Sequence, residues 1–440
     1  MSELLELARR ACREAIKHGA EMADVELSRR RGVSVNVEKN GIHDAKETST
    51  ASVSVRSIVK GATGFSTSSG FGVKDVLETA RRSAAAAKLA QPDPDFVTLP
   101  GPASCREVPG LYDKGLAALT AADLIRLLAA EIDAAREVCS DVMVQGGASL
   151  GEWERALANS LGVAVADKGT SADLFVFCIV KRGDDVGSFY DFDQARVRKD
   201  FAPQGLGAKT CKEAVAFLGS RKIKSATLPV VLGPLTTHGL FWGICYCAGA
   251  ENIQRKRSYL VGKRGQQIGS RLLTLRDDGL IPRGMASGAR DGEGAVRRKV
   301  TVVEQGVLTN LLHGSYTANK AREENTGHGS RWRGVAPTNV VPSLGKATAA
   351  EIIADTREGI YVNVGSVMPH PVTGDISATV DFGYKIENGK LAYPLKNTML
   401  GISIFDLLKN LDAVSSDYRE EPGTIMPTLR VQNVKVAGAQ

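Results

Sequence analysis

The order of apolar and polar positions divides the chain into helical and strand-like stretches. Within residues 4–18, Leu4, Leu5, Ala8, Ala11, Cys12, Ala15 and Ile16 recur at helical spacing and form one apolar face, with Ser2 placed to cap the helix and Gly19 to stop it. Residues 24–28, 33–37 and 53–56 alternate with a period of two, which predicts antiparallel strands that each bury one face, and Asn40-Gly41 supplies a hairpin turn. Helical composition returns over residues 74–89, and the prolines at positions 92, 94, 100 and 102 then break it. Thr120 is suited to cap a further helix over residues 121–138, with Asp123 as the acid of a capping box and Leu124, Leu127, Leu128 and Ile132 as its apolar stripe. Strand-like stretches at 142–145, 163–166 and 174–181 follow, with a turn at 159–162 and a short helix at 208–218.

From position 228 onward the pattern is mostly that of strands. Residues 228–232 and 428–436 read as strands, and 299–303 with 307–312 and 384–386 with 390–393 as hairpins turning at Gln305-Gly306 and Asn388-Gly389. Residues 406–411 look helical. The expected fold class is α+β, with an N-terminal α/β region of antiparallel strands and helices and a C-terminal curved, mostly antiparallel β domain. Three units are expected: an N-terminal α/β domain (1–100), a central α/β region (101–225) and a C-terminal β-rich domain (226–440).

Composition changes this picture little. The 440 residues are 43% hydrophobic and 24% charged, ordinary for a soluble globular protein, and no apolar run approaches the ~18 residues a membrane span needs. Acids at the amino terminus, where a signal peptide carries bases, make the cytoplasm the expected location. The seven cysteines (Cys12, Cys105, Cys139, Cys178, Cys211, Cys245 and Cys247) are odd in number and scattered, which reads as reduced thiols. A net charge of +7 with interspersed signs lacks the concentrated basic stripe of a nucleic-acid reader.

The chemistry lies in the run from Gly249 to Gly327. It opens with Glu251-Asn252 and Arg257-Ser258-Tyr259-Leu260, continues through Leu272-Leu273-Thr274-Leu275-Arg276-Asp277-Asp278-Gly279 and Asp291-Gly292-Glu293-Gly294, and ends with His313-Gly314-Ser315-Tyr316 and Asn325-Thr326-Gly327. These landmarks, in this order and spacing, resemble the carboxyl-terminal half of the TldD/TldE (PmbA) family, long called modulators of DNA gyrase and regarded as paired metalloprotease subunits. The likeness covers nearly the whole chain and is strongest from about position 228.

The resemblance implies that active members hold zinc through His-Glu-x-x-x-His on a helix just upstream of the Asn252 region and through a late cysteine. Two histidines little more than one turn apart can face one ion, while the glutamate acts as general base on bound water. Here the matching positions carry Phe241, Trp242 and Tyr246, no His-Glu pair exists in the chain, and no cysteine follows Cys247. His238, Cys245 and Cys247 form a substitute ligand set by spacing, against which stands their place in an apolar helix. Neither a phosphate loop nor a nucleophile elbow is matched, and His313, His328 and His370 are expected in separate loops or strand ends.

The resemblance therefore implies a non-catalytic TldE-type subunit, with no zinc of its own, that pairs with a TldD-like zinc metalloprotease subunit and helps bind and thread unfolded peptides. Alone it is expected to be inactive, as a monomer or homodimer. Asn252, Arg257, Ser258, Thr326 and His328 are candidates for shaping the groove or the subunit interface, and each also suits a capping, turn or solvated role. A basic set, Arg255, Lys256, Arg257, Lys263, Arg264, Arg297 and Arg298, could line a path for acidic peptides or pair across the interface, and each equally suits a solvated basic face. Two alternatives stand beside this reading: a metal-independent enzyme acting on a small amide or thiol conjugate in a natural-product pathway, and a stand-alone binding or regulatory protein.

Overall fold

A computed structural model describes residues 3–332 and 334–438. The first layer is a six-stranded antiparallel sheet of β1 (Met22–Glu38), β2 (Gly41–Val59), β3 (Ala62–Ser68), β4 (Met143–Asn159), β5 (Ala164–Arg182) and β6 (Asp185–Ala195), in the order β3-β2-β1-β4-β5-β6. Residues 1–100 and 101–225 thus contribute three strands each to one sheet, joined through the β1–β4 ladder.

Four helices cover one face of this sheet. α1 (Glu3–Lys17) and α2 (Val73–Leu89) pack on Val25, Leu27, Val53, Val55, Ala156 and Ala158. After the single-turn α3 (Lys114–Ala117), α4 (Ala121–Val138) and α5 (Leu206–Ala216) cover Val33, Val35, Val37, Leu174 and Val176. All the β1 positions in this set are odd-numbered, so the even-numbered face is left for the rest of the molecule. The capping box of α4 forms as its residues imply: the Asp123 N–H donates to Thr120 Oγ1 and the Thr120 N–H to the Asp123 carboxylate.

Some sequence expectations shift. The two segments 24–28 and 33–37 are one strand, because pairing with β2 and β4 carries the backbone straight through Arg29-Arg30-Arg31. The hairpin turn sits one residue earlier than Asn40-Gly41: Lys39 and Asn40 take the positive φ values, 48° and 65°, while Glu38 pairs with Gly41. The Asn40 side chain fixes this turn by donating to Val142 O (2.8 Å) and accepting from the Val144 N–H (2.6 Å). Ile16, placed on the buried face of α1 by its spacing, is 38% exposed at the end of the helix. The proposed Ser2 cap lies outside the described residues.

The C-terminal half begins with β7 (Ala226–Leu232), α6 (Pro234–Cys247) and α7 (Ala250–Gln254). A small sheet, ordered β10-β9-β8-β11, follows from β8 (Leu275–Asp278), β9 (Lys299–Glu304), β10 (Val307–Leu308) and β11 (Val340–Pro342), with α8 (Ser315–Ala321) inserted. After α9 (Ala349–Ala354) come β12 (Glu358–Gly365), β13 (Asp375–Glu387), β14 (Lys390–Pro394), β15 (Thr398–Ser403), α10 (Ile404–Lys409), β16 (Leu411–Glu421) and β17 (Thr424–Gly438). β7 pairs with β12, β12 with β13, β13 with β15, β15 with β17, and β17 with β7, which closes a ring of five strands. Every pairing in the ring is antiparallel except β7 with β12. Val230, Leu232, Ile376, Leu400, Val431 and Val434 meet in its apolar interior, and closure leaves none of the five with an open edge along the paired stretch. The expected α+β class, with antiparallel strands in the N-terminal half and a β-rich C-terminal domain, holds. No helix among the described residues is long and apolar enough to cross a membrane.

Candidate functional site

α6 runs against β12 and β17 of the ring and carries Phe241, Trp242 and Tyr246. Pro234 begins it, and the Thr236 and Thr237 hydroxyls donate to Val362 O (3.2 Å) and Pro427 O (3.0 Å), fastening its first turn to the ring. Leu240, Phe241, Ile244 and Cys245 are buried in the largest apolar core. Trp242 and Tyr246, one turn apart, are half-buried and stack with ring centroids 5.2 Å apart and planes 10° from parallel. The helix therefore presents rings on both its buried and its half-exposed sides.

The substitute ligand set does not converge. His238 is exposed, whereas Cys245 has no accessible surface and Cys247 almost none. Burial pushes the Cys247 thiol up to about 11 and the Cys245 thiol well above its ordinary value, which keeps both protonated. Among the described residues, no three His, Cys, Asp or Glu side chains gather as a metal site would need.

Asn252 and Ser258 serve the exit of α6. The Asn252 amide donates to Tyr246 O (2.9 Å), and the buried Ser258 hydroxyl donates to Cys247 O (2.7 Å) while accepting from the Leu260 N–H (3.0 Å). These bonds satisfy carbonyls left free at a helix end. Arg257 is exposed beside them. The basic set does not form one continuous path. Arg255 pairs with Glu251 (3.2 Å), Arg264 with Glu323 (2.7 Å) and Arg298 with Glu324 (2.5 Å), while Arg297 is half-buried and donates to Arg290 O (3.2 Å).

Thr326 and His328 belong to a buried chain of hydrogen bonds. His328 Nε2 lies 2.7 Å from Asp277 Oδ1 and Nδ1 lies 2.9 Å from Thr326 Oγ1, which also accepts from the His313 N–H (2.7 Å). Asp277 in turn accepts from the Thr338 N–H (2.6 Å). His313 and His328 lie in separate loops on either side of α8, and the His328 N–H donates across them to His313 O at 3.1 Å. The carboxylate, imidazole and hydroxyl are in the sequence of a proton relay, yet the His328 side chain has no accessible surface. Sealed in this way, Ser258 and His328 shape the local backbone and do not line an open groove of the isolated chain.

Sequence reasoning missed the densest polar cluster. Asp24 on β1 is bracketed by two buried guanidiniums, accepting from Arg56 Nε (2.8 Å) and Arg331 Nε (2.6 Å). Arg331 also donates to Asp24 O and Ser54 O, and Arg56 donates to Arg331 O and lies 3.6 Å from Glu293. Glu293 accepts from the Ser315 N–H (2.8 Å), and Asp291 from the N–H groups of Glu293, Ala295 and Gly329. Burial alone would raise the Asp24 carboxyl, but the two arginines outweigh it and hold it below its ordinary value. The Asp291-Gly292-Glu293-Gly294 landmark was visible in the sequence, whereas its distant partners carried no local signal.

Models of the PmbA/TldA metallopeptidase domains match almost end to end: domain 1 over residues 23–87, the central domain over 114–218 and the C-terminal domain over 225–438. This chain belongs to the PmbA/TldD metallopeptidase family. Among family members, metalloprotease PmbA of Escherichia coli O157:H7 is 22% identical over 99% of this chain and 98% of its own length. The uncharacterized protein MJ0231 of Methanocaldococcus jannaschii is 27% identical over 90% of this chain and 91% of its own. The crystal structure of TldE from Thermococcus kodakarensis superposes with a TM-score of 0.90 at 25% identity, covering 98% of this chain and all of that one.

Membership in a metallopeptidase family raises the question of zinc, and α6 does not fit it. Phe241 is packed in the core, and Trp242 and Tyr246 are stacked on each other; phenyl and indole rings offer the metal no lone pair, and the Tyr246 phenol is the sole oxygen among the three. No catalytic step is assigned to a metal on this chain.

Proposed function

We propose that this PmbA/TldD-family chain is a non-catalytic, TldE-type subunit that works in the cytoplasm with a zinc-bearing TldD-like partner, helping to bind and thread unfolded peptides for proteolysis. The observation that supports this most directly is the packing of α6, where the rings of Phe241, Trp242 and Tyr246 stand at the positions that the sequence resemblance assigns to metal ligands and general base. A chain that keeps the fold without the metal contributes by holding substrate near another subunit's active site, which is a positioning effect.

The test is reconstitution. The purified chain is expected to bind no stoichiometric zinc by elemental analysis and to cleave no unfolded peptide alone. Combined with a TldD-like subunit from the same host, it is expected to co-elute and to raise peptide cleavage. Robust proteolysis by the pure chain, or zinc held at one equivalent, would overturn the reading.

A further inference from the structure

A cleft of about 890 Å3 opens between the two halves of the molecule, lined by Pro234 and Leu235 at the start of α6 but not by the stacked rings of Trp242 and Tyr246. β6 and α5 form one wall; Tyr361 and Asn363 of β12, the turn between β16 and β17, and the loop at Ile281 form the other. Clefts of this size at the junction of two packed units are where small ligands and peptide side chains usually bind.

Its charges are unequally satisfied. Every cation that lines it is already paired: Lys209 with Asp191 (2.8 Å), Arg283 with Asp200 (2.8 Å), and Arg419 with both Asp191 (2.5 Å) and Glu421 (2.6 Å). Asp193, Glu213 and Glu420 also line the cleft, and none of them has a cation partner among the described residues. Asp193 accepts only from backbone N–H groups, that of Ala202 at 2.9 Å and that of Gln194. The carboxylate of Glu213, half-buried on α5, makes no hydrogen bond or ion pair among the described residues, since the nearby Lys209 is paired with Asp191. Burial pushes both carboxyls above their ordinary values, and the nearby charges of Arg419 and Lys209, each already in an ion pair with Asp191, offset only part of that loss of water.

The Tyr361 hydroxyl and the Asn363 amide, on the opposite wall, add oxygen acceptors. The aromatic and proline surfaces of Phe192, Pro203 and Pro422 suit an aliphatic stem. An ammonium or guanidinium at the end of such a stem would meet two poorly solvated carboxylates and displace no existing ion pair.

We propose that this cleft binds the lysine or arginine side chains of an extended peptide. The proposal rests on the peptide-binding role above and names the class of side chain that role would favour. It also reverses the expectation drawn from the basic set around Arg257, which pointed to acidic peptides.

The test is fluorescence anisotropy of the whole chain with three short labelled peptides of matched length, rich in lysine and arginine, in glutamate, or in serine. The basic peptide is expected to bind, and its binding to weaken as salt is raised from low to physiological strength. The double variant Asp193→Asn, Glu213→Gln is expected to lose roughly tenfold in affinity, the scale of losing a partly desolvated charge pair. Glu420→Gln, at the exposed rim, is expected to lose about two- to threefold. A thermal melt checks that each variant folds. Equal binding of the glutamate peptide, or a double variant that melts normally and binds as before, would overturn the proposal. So would spermidine displacing the peptide at concentrations well below the peptide's own dissociation constant, which would assign the cleft to free polyamines. Cleavage of an uncharged peptide by the reconstituted pair separates the two ideas: if it persists while the basic peptide fails to bind, the subunit role stands and the cleft assignment falls.

Discussion

Asp24 on β1 and Glu213 on α5 are both acids placed where the N-terminal layer meets the C-terminal half, and their surroundings could hardly differ more. Asp24 is buried with two arginines on it, one from β2 and one from the loop between α8 and β11, and its carbonyl oxygen is also taken. Glu213 is half-buried beside open volume with no partner among the described residues. A buried charge costs several kcal/mol unless it is paired, so the first arrangement makes sense as a joint that fixes the two halves together. The second is left unsatisfied by the fold itself, which is how a site for something outside the chain differs from a joint within it.

The contrast is open to direct test, and the largest effect is expected at the joint. Asp24→Asn removes the carboxylate that Arg56 and Arg331 share, leaving Arg56 with Glu293 alone, and is expected to cost about 3–5 kcal/mol by urea denaturation. The same carboxyl gives a signed pH dependence. Its folded value lies below the ordinary 3.8, so its contribution is complete above that value and is lost as pH falls through the depressed folded one. Acid unfolding followed by circular dichroism should show the wild-type advantage over Asp24→Asn shrinking only in that acid range. An advantage that is flat with pH would mean the carboxylate is not the group holding the arginines.

A smaller loss is expected within the C-terminal half. Asp277→Asn weakens the bonds to His328 and to Thr338 and is expected to cost about 1–3 kcal/mol, read from the same denaturation curves. His313 comes next. Burial holds its imidazole below the ordinary 6.5, so the unfolded chain takes up the proton first and stability falls as pH drops through 6.5 and below. His313→Leu should flatten that part of the stability profile; an unchanged slope would remove His313 as its source.

The smallest effect on stability is expected at the cleft. Glu213→Gln should leave the unfolding free energy within about 0.5 kcal/mol, because no interaction within the chain is lost. The pH sign is opposite to that of Asp24. A carboxyl raised by burial favours the protonated folded state, so the wild type should lose stability as pH rises through the window above 4.5, and the glutamine variant should not. A substantial loss in Glu213→Gln would show that the fold does use this acid, and the distinction between joint and cleft would fail.

Local pattern carried much of this architecture. The capping box at Thr120 and Asp123, the alternation of Val33, Val35 and Val37, and the apolar run from Leu240 to Cys247 each depend on neighbours within a few positions, and each forms as read. β6 was not read as a strand because Asp185, Asp191 and Asp193 are poor strand formers; its ladder with β5 and the cover of α5 override that preference. Ring closure was equally hidden, since the parallel pairing of Ile360 with Val230 joins segments 130 positions apart. The candidate residues divided in the same way. Asn252 and Ser258 could be placed near the exit of α6 from their spacing, but whether they faced a groove or a carbonyl depended on the loop that returns over them.

The chain's own order of residues determined where its helices cap, which strand positions face inward, and that α6 carries the rings of Phe241, Trp242 and Tyr246, because those properties follow from neighbours along the backbone. Only the tertiary structure decided that Asp24 would meet Arg331 and that the Glu213 carboxylate would be left without an ion pair among the described residues. Electrostatic interaction and desolvation depend on distance through space, and no pattern of spacing along the sequence encodes it.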